Sequence, residues 1–220
     1  MSSDNEILAR LFKQQATIGK LVLDGARDPN AVAALLQSII DTAATTPAPS
    51  AKFALLCDLG YIEVPVGYEF DTALKSFRKV NRKKFYYYND DISDANFNNP
   101  SRVLKAGDRL RVRAFHQTAA GTTTSIERMD FLRAQSGNVF VGAQGAALVF
   151  EQKCAELPKG KWYASFDEAD RLYEGADLKC RVPFVGAFTD GGFEFDLGGF
   201  GSPWNRGNAF LCFCDESLSA

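Results

Sequence analysis

The chain has 220 residues, 46% hydrophobic, 12% aromatic with 18 Phe, and 24% charged, which excludes wholesale disorder and supplies the large side chains of a substantial core. No uninterrupted apolar run approaches the roughly 20 residues that cross a bilayer, and Met1-Ser2-Ser3-Asp4-Asn5-Glu6 has neither the basic nor the apolar region of a leader, so no membrane partner and a soluble, cytoplasmic protein are expected. The formal charge of −2 hides an asymmetry, because Lys75 to Arg113 holds eleven Lys or Arg against four Asp, a local excess of seven that leaves nine net negative charges elsewhere.

Residues 6–23 carry Leu8, Leu11, Gln15, Ile18 and Val22 at alternating three- and four-residue steps, widened by Phe12 and Leu21, which predicts an amphipathic helix ended by Asp24-Gly25. Asp28 then caps a second helix, with Pro29 in its first turn and Val32, Leu35, Leu36, Ile39 and Ile40 on its apolar face. Residues 1–43 therefore read as a helical hairpin, which must dock on the rest of the chain or on a second copy to hide both faces. Ala, Thr and Pro fill the linker at 44–52.

The run Lys13-Gln14-Gln15-Ala16-Thr17-Ile18-Gly19-Lys20-Leu21-Val22-Leu23-Asp24-Gly25-Ala26-Arg27-Asp28-Pro29 resembles the N-terminal portion of uncharacterised bacterial proteins in which similar helices precede variable C-terminal regions. The resemblance implies no activity and no catalytic residues, only that the hairpin is a reusable docking module.

Residues 53–220 read as a strand-rich mixed α+β domain with antiparallel hairpins, so the fold class expected for the whole chain is α+β. Phe53 to Leu56 and Tyr61 to Val66 predict strands, Asp71 to about Lys84 a helix with Leu74, Phe77 and Val80 inward, and Phe85 to Tyr88 a strand. Leu110, Val112 and Ala114 alternate with Arg109, Arg111 and Arg113, the period of a strand with one core face and one basic face. Thr124 or Ser125 caps a helix to about Gln135 carrying Ile126, Met129 and Leu132. A strand follows from Val139, broken at Gly142-Ala143-Gln144-Gly145 and resuming to Phe150, and a short helix starts at Ser165. Val182 to Phe188 and Phe193 to Leu197 flank Thr189-Asp190-Gly191-Gly192, a strong hairpin signal. Ala209 to Cys214, apolar on both faces, predicts an interior strand.

Little catalytic machinery is legible. His116 is the only histidine and no Cys-x-x-Cys pair exists, so neither metal nor cofactor is expected. The five cysteines, Cys57, Cys154, Cys180, Cys212 and Cys214, are odd in number and scattered, and read as reduced; Cys212 and Cys214 share one strand face as core thiols. The Asn/Asp-rich stretch 89–99 fails as a calcium loop, because Asn99 replaces the turn glycine and Lys105 the bidentate Glu. Glu194 and Asp196 read as a solvent face, the glycines at 142–145 and 198–201 as bends between strands, and Trp204 as a ring packed over a loop.

Two functional readings follow. The first is a non-enzymatic binding or interaction protein that recognises an anionic polymer such as single-stranded nucleic acid. Lys75, Arg78, Lys79, Arg82 and Lys83, with Arg111 and Arg113, would track phosphates, and Tyr86 and Tyr88, with Tyr87 between them, would stack on bases. A protein partner, or self-association through the N-terminal helices, belongs to the same class. The second is a hydrolase-type enzyme pairing His116 with Cys57 or with a hydroxyl among Thr122, Thr123, Thr124 and Ser125.

Overall fold

The computed structural model describes Asp24, Asp28, Val32 and residues 52–215. The chain divides into two units, residues 1–50 and 51–220. In the first, the Val32 N–H donates to the Asp28 carbonyl at 3.1 Å, the four-residue step of a helical turn. The rest of the hairpin expected at 1–43, and the linker as far as Ala51, lie outside the described residues.

The second unit is α+β. Its elements are β1 (Phe53–Glu63), α1 (Ala73–Asn81), β2 (Phe85–Tyr88), β3 (Arg109–Gln117), α2 (Ser125–Arg133), β4 (Asn138–Val139), α3 (Gly142–Lys153), β5 (Lys161–Ala164), β6 (Tyr173–Glu174), β7 (Cys180–Ala187), β8 (Phe193–Gly199) and β9 (Asn208–Cys214). The nine strands form one mixed sheet in the order β1-β3-β9-β5-β7-β8-β2, with β4 on β9 and β6 on β7. β9 lies parallel to β5 and β2 parallel to β8, and the other pairs are antiparallel.

The run Ala209 to Cys214 is buried throughout and sits between β3 and β5, as its two apolar faces require. Its alternation divides the core. Ala209, Leu211 and Phe213 join Leu110, Val112 and Ala114 under α1 and α3, and Phe210, Cys212 and Cys214 join Phe115, Met129, Leu132 and Trp204 on the α2 side. The β7–β8 hairpin turns at Asp190-Gly191, where Gly191 takes φ 92°, a left-handed conformation that glycine adopts without a Cβ clash. α2 opens with the reciprocal cap of Thr124 and Glu127, each side chain accepting from the other's backbone N–H.

Several expectations are corrected. The strand expected at 139–150 is mostly α3, whose residues Gly142 to Phe150 are all buried; a helix enclosed on every side loses the polar stripe that would reveal its period. The two strands expected at 53–66 are one, β1, kinked by register shifts at Leu55/Cys57 and Asp58/Gly60. The helix expected from Asp71 to Lys84 is α-helical only over α1, with 3-10 turns at Phe70–Thr72 and Arg82–Lys84. In α1 Val80 is exposed and Asn81 buried, and in α2 Ile126 is exposed and Arg128 buried. No α-helix starts at Ser165, which is buried with its hydroxyl donating to the Gly142 carbonyl at 2.6 Å; a 3-10 turn follows at Ala169–Arg171. All five cysteines are free thiols. Among the described residues no helix is long and apolar enough to cross a membrane.

Candidate functional site

The basic segment folds into two parts on opposite sides of the sheet. Lys75, Arg78, Lys79 and Arg82 recur at three- and four-residue steps on the outer face of α1 and its 3-10 extension, opposite the buried Leu74, Phe77 and Asn81. Arg111 and Arg113 leave β3 on the side of Phe115, the face that α2 covers. The sheet therefore separates them from the α1 row.

Within the α1 part the charges differ. Arg78 pairs with Asp90 at 2.6 Å and lies over the Tyr88 ring, 5.3 Å from its centroid. Lys75, Lys79, Arg82 and Lys83 are exposed and make no ion pair among the described residues; Arg82 donates to the Phe85 carbonyl at 3.4 Å. Asp94, from the Asn/Asp-rich loop, accepts from the Leu74 and Lys75 backbone N–H groups at 2.8 and 3.0 Å. This places a carboxylate at the N-terminus of α1 and gives the loop a structural task.

The tyrosines also differ from strict alternation. A bulge between Phe85 and Tyr87 sends both Phe85 and Tyr88 into the core and leaves Tyr86 and Tyr87 exposed. Tyr88, expected to stack on a ligand, is 2% exposed and cannot do so. Tyr86 lies against Gly192 and stacks on Phe188 with centroids 5.9 Å apart, its hydroxyl 3.3 Å from Asp190. The Cβ of any residue larger than glycine at 192 would fall 2.1 Å from Tyr86 Cε2, so Gly192 is what lets the ring lie down.

The hydrolase constellation is not assembled by hydrogen bonds. His116 is half-buried, and desolvation, then Lys161 and Arg206, hold its pKa below the usual value. Among the described residues no hydrogen bond joins it to Cys57 or to the hydroxyls at 122–125. Thr123 donates to Gln117 and accepts from Arg128, Ser125 donates to the Phe200 carbonyl and accepts from Trp204, and Thr124 caps α2. Burial raises the Cys57 pKa, followed by Asp58 and Glu156, which opposes a nucleophilic thiolate. Glu194 and Asp196 accept from Trp162 and Asn89.

Arg111 and Arg113 have other roles. Arg111 pairs with Asp58 at 2.7 Å. Arg113 donates to Cys214 Sγ at 3.2 Å, and the Cys212 and Cys214 sulfurs stand 3.5 Å apart. The hydrogen bond from Cys212 and the Arg113 guanidinium outweigh desolvation and draw Cys214 down to about 6; the shared hydrogen bond and burial push Cys212 up. Among the described residues no third metal-ligating group joins the pair. A folded pKa depressed below the unfolded value near 9 contributes stability that is present above that value and is lost as pH falls through about 6. Titrating thiolate ultraviolet absorbance should show an ionisation near pH 6 that vanishes in Cys214→Ser and moves upward in Arg113→Met. A first ionisation unmoved by Arg113→Met would refute this assignment.

A third feature was not read from the sequence. Ala73, Ser76, Phe77 and Val80 of α1 and Gln144, Ala147, Leu148 and Glu151 of α3, with Pro65, Gly67, Tyr68 and Glu69, line a cleft of about 300 Å³. Both helices contribute stripes at three- and four-residue steps. Buried in its walls are two polar atoms without a hydrogen-bond partner, Tyr68 Oη and Gln144 Oε1. The one available signal was Gln144 itself, a polar residue within an otherwise apolar run. No protein-family model, curated protein or solved structure matches the chain.

Proposed function

We propose that the chain is a non-enzymatic binding protein whose strand-rich domain recognises a single-stranded anionic polymer through α1, its 3-10 extension and the start of β2. What carries the reading is the row Lys75, Lys79, Arg82 and Lys83, exposed and without carboxylate partners among the described residues, beside the exposed rings of Tyr86 and Tyr87. Cations next to open aromatic faces supply the two attractions that single-strand binding uses, phosphate neutralisation and base stacking. Tyr87 replaces Tyr88 in this surface, and Arg111 and Arg113 stand outside it. Residues 1–43, read as a helical hairpin, serve in this proposal as the docking or self-association segment.

The test is a salt-titrated binding assay with a fluorescent oligouridylate. Four phosphate contacts at a slope of about −0.7 each give a fall of about fifty-fold between about 50 and 200 mM salt. Lys79→Glu with Arg82→Glu should abolish binding at low salt, and Tyr87→Ala should weaken it about tenfold through lost stacking. An absence of binding at the lowest salt, or a charge-reversed variant that binds as well as the parent, would reject the proposal.

A further inference from the structure

The cleft between α1 and α3 has a chemical preference independent of the basic surface. Gln144 is 2% exposed, and its Nε2 donates to the Phe97 carbonyl at 2.8 Å. That bond settles the amide's orientation, since a flipped amide would set oxygen against oxygen at Phe97 and leave two N–H donors facing the apolar side. Oε1 is therefore a fixed acceptor on a residue that lines the cleft, buried without a donor, a state that buried carbonyls seldom keep. Tyr68 Oη stands in the same condition.

The remaining lining has one sign. Glu69 and Glu151 contribute carboxylates and Thr72 and Ser76 hydroxyls, whereas among the described residues no Lys, Arg or His lines the cleft and Lys84 acts on Glu151 from outside it. Glu151 also accepts from Asn81 Nδ2 at 2.9 Å, which holds it at the end of the α3 stripe. Phe77, Leu74, Leu148, Val80 and Ala147 provide the apolar walls. A volume near 300 Å³ lies at the small end of ligand sites, below what most drug-sized molecules need.

We infer that this cleft binds a small organic ammonium ion, an amine with a compact apolar body, whose N–H groups donate to Gln144 Oε1 and toward the Glu151 carboxylate while the body packs on Phe77 and Leu148. An ammonium has only donors, which matches a lining of acceptors and hydroxyls. A carboxylate or phosphate would meet Glu69 and Glu151 with like charge and leave Gln144 Oε1 unpaired. Oε1 lies below the surface, so in this proposal the lining must shift to admit the head group, and Tyr68, half-buried between the exposed Gly67 and Glu69, is the side chain assigned to that shift. Burial keeps the Glu151 carboxyl above its ordinary pKa, a cost that a bound cation would offset.

Ligand-observed NMR and calorimetry on the full chain, with phenethylammonium as probe and hydrocinnamate as its carboxylate counterpart, test the inference. Phenethylammonium should bind and hydrocinnamate should not. Glu151→Gln, a change at the rim that leaves the fold intact, should weaken the ammonium about tenfold, and Gln144→Met should abolish binding while retaining the parent circular dichroism. Tyr68→Phe keeps the ring and should alter affinity by less than Gln144→Met does. Equal binding of the two probes, no binding of phenethylammonium at millimolar concentration, or an affinity unchanged in Glu151→Gln would overturn it. Because the oligouridylate assay reads a different face of α1, failure there leaves this result standing, and the reverse.

Discussion

Arg128→Met should lower the melting temperature of the strand-rich domain by about 10 °C, corresponding to about 4 kcal/mol in a domain of this size. Arg128 is fully buried, yet among the described residues no carboxylate binds it directly. Its Nε donates to Thr123 Oγ1 at 2.9 Å and its terminal nitrogens to the carbonyls of Asn208 and Asn205 at 2.8 and 3.2 Å. The guanidinium also lies over Trp204 and Phe210, 5.4 and 5.0 Å from their centroids. Desolvation draws its pKa down to about 10, still far enough above neutrality that the group stays charged. Met fills much of the volume but removes every donor, so the partly buried Asn208 carbonyl loses its guanidinium partner and the Asn205 carbonyl and Thr123 hydroxyl each keep one bond fewer, and lost bonds to a buried charged group cost more than neutral ones. Arg128→Lys should recover only part of the loss, because one ammonium cannot span acceptors on two segments in a planar fork. Thermal unfolding by circular dichroism measures both; a Met variant as stable as the parent would show that the carbonyls find other donors.

Gly145→Ala should destabilise the domain by about 2 kcal/mol, although the same change in an exposed helix stabilises by about 1. A Cβ at this position would stand 2.3 Å from Val141 Cγ2 and 2.9 Å from Phe213 Cζ. Both neighbours are buried, Val141 just ahead of α3 and Phe213 on the central strand, so neither yields without moving the helix off the sheet. The added methyl therefore acts as a wedge between α3 and β9, and overpacking outweighs the gain in helix propensity. Denaturant titration of Gly145→Ala, Val141→Ala and the double variant isolates the cause. The double variant should be more stable than the sum of the single losses implies, since removing the valine branches makes room for the alanine. Strict additivity would place the clash elsewhere.

The legible parts of this chain were those in which local chemistry and tertiary demand agree. Asp190-Gly191 between alternating apolar residues makes a hairpin in isolation and in the sheet alike, and Thr124 three residues before Glu127 makes the same cap wherever a helix follows. Ala209 to Cys214 announced its central position because both of its faces are apolar. Gly142 to Phe150 misled for the same physical reason, since complete burial removes the polar face that distinguishes a helix from a strand. The proposed surface was half legible: the three- and four-residue spacing of Lys75, Lys79 and Arg82 is local, but the bulge that turns Tyr88 inward depends on pairing with β8. Which side of the sheet Arg111 and Arg113 occupy relative to α1 depends on how the chain crosses that sheet. The cleft was hidden because Gln144 and Tyr68 lie 76 positions apart and meet only through the packing of α3. The contact of Arg113 with Cys214 likewise depends on the register of β3 on β9.

The position of β9 has a consequence for how the sheet is completed. The central place between β3 and β5 is filled by the last of the nine strands in chain order, so without β9 the others can pair only as two separate groups, β1-β3 and β5-β7-β8-β2, each with an open inner edge. Neither group can close into the single sheet until Asn208–Cys214 is free to enter between β3 and β5, so completion of the core waits on this strand.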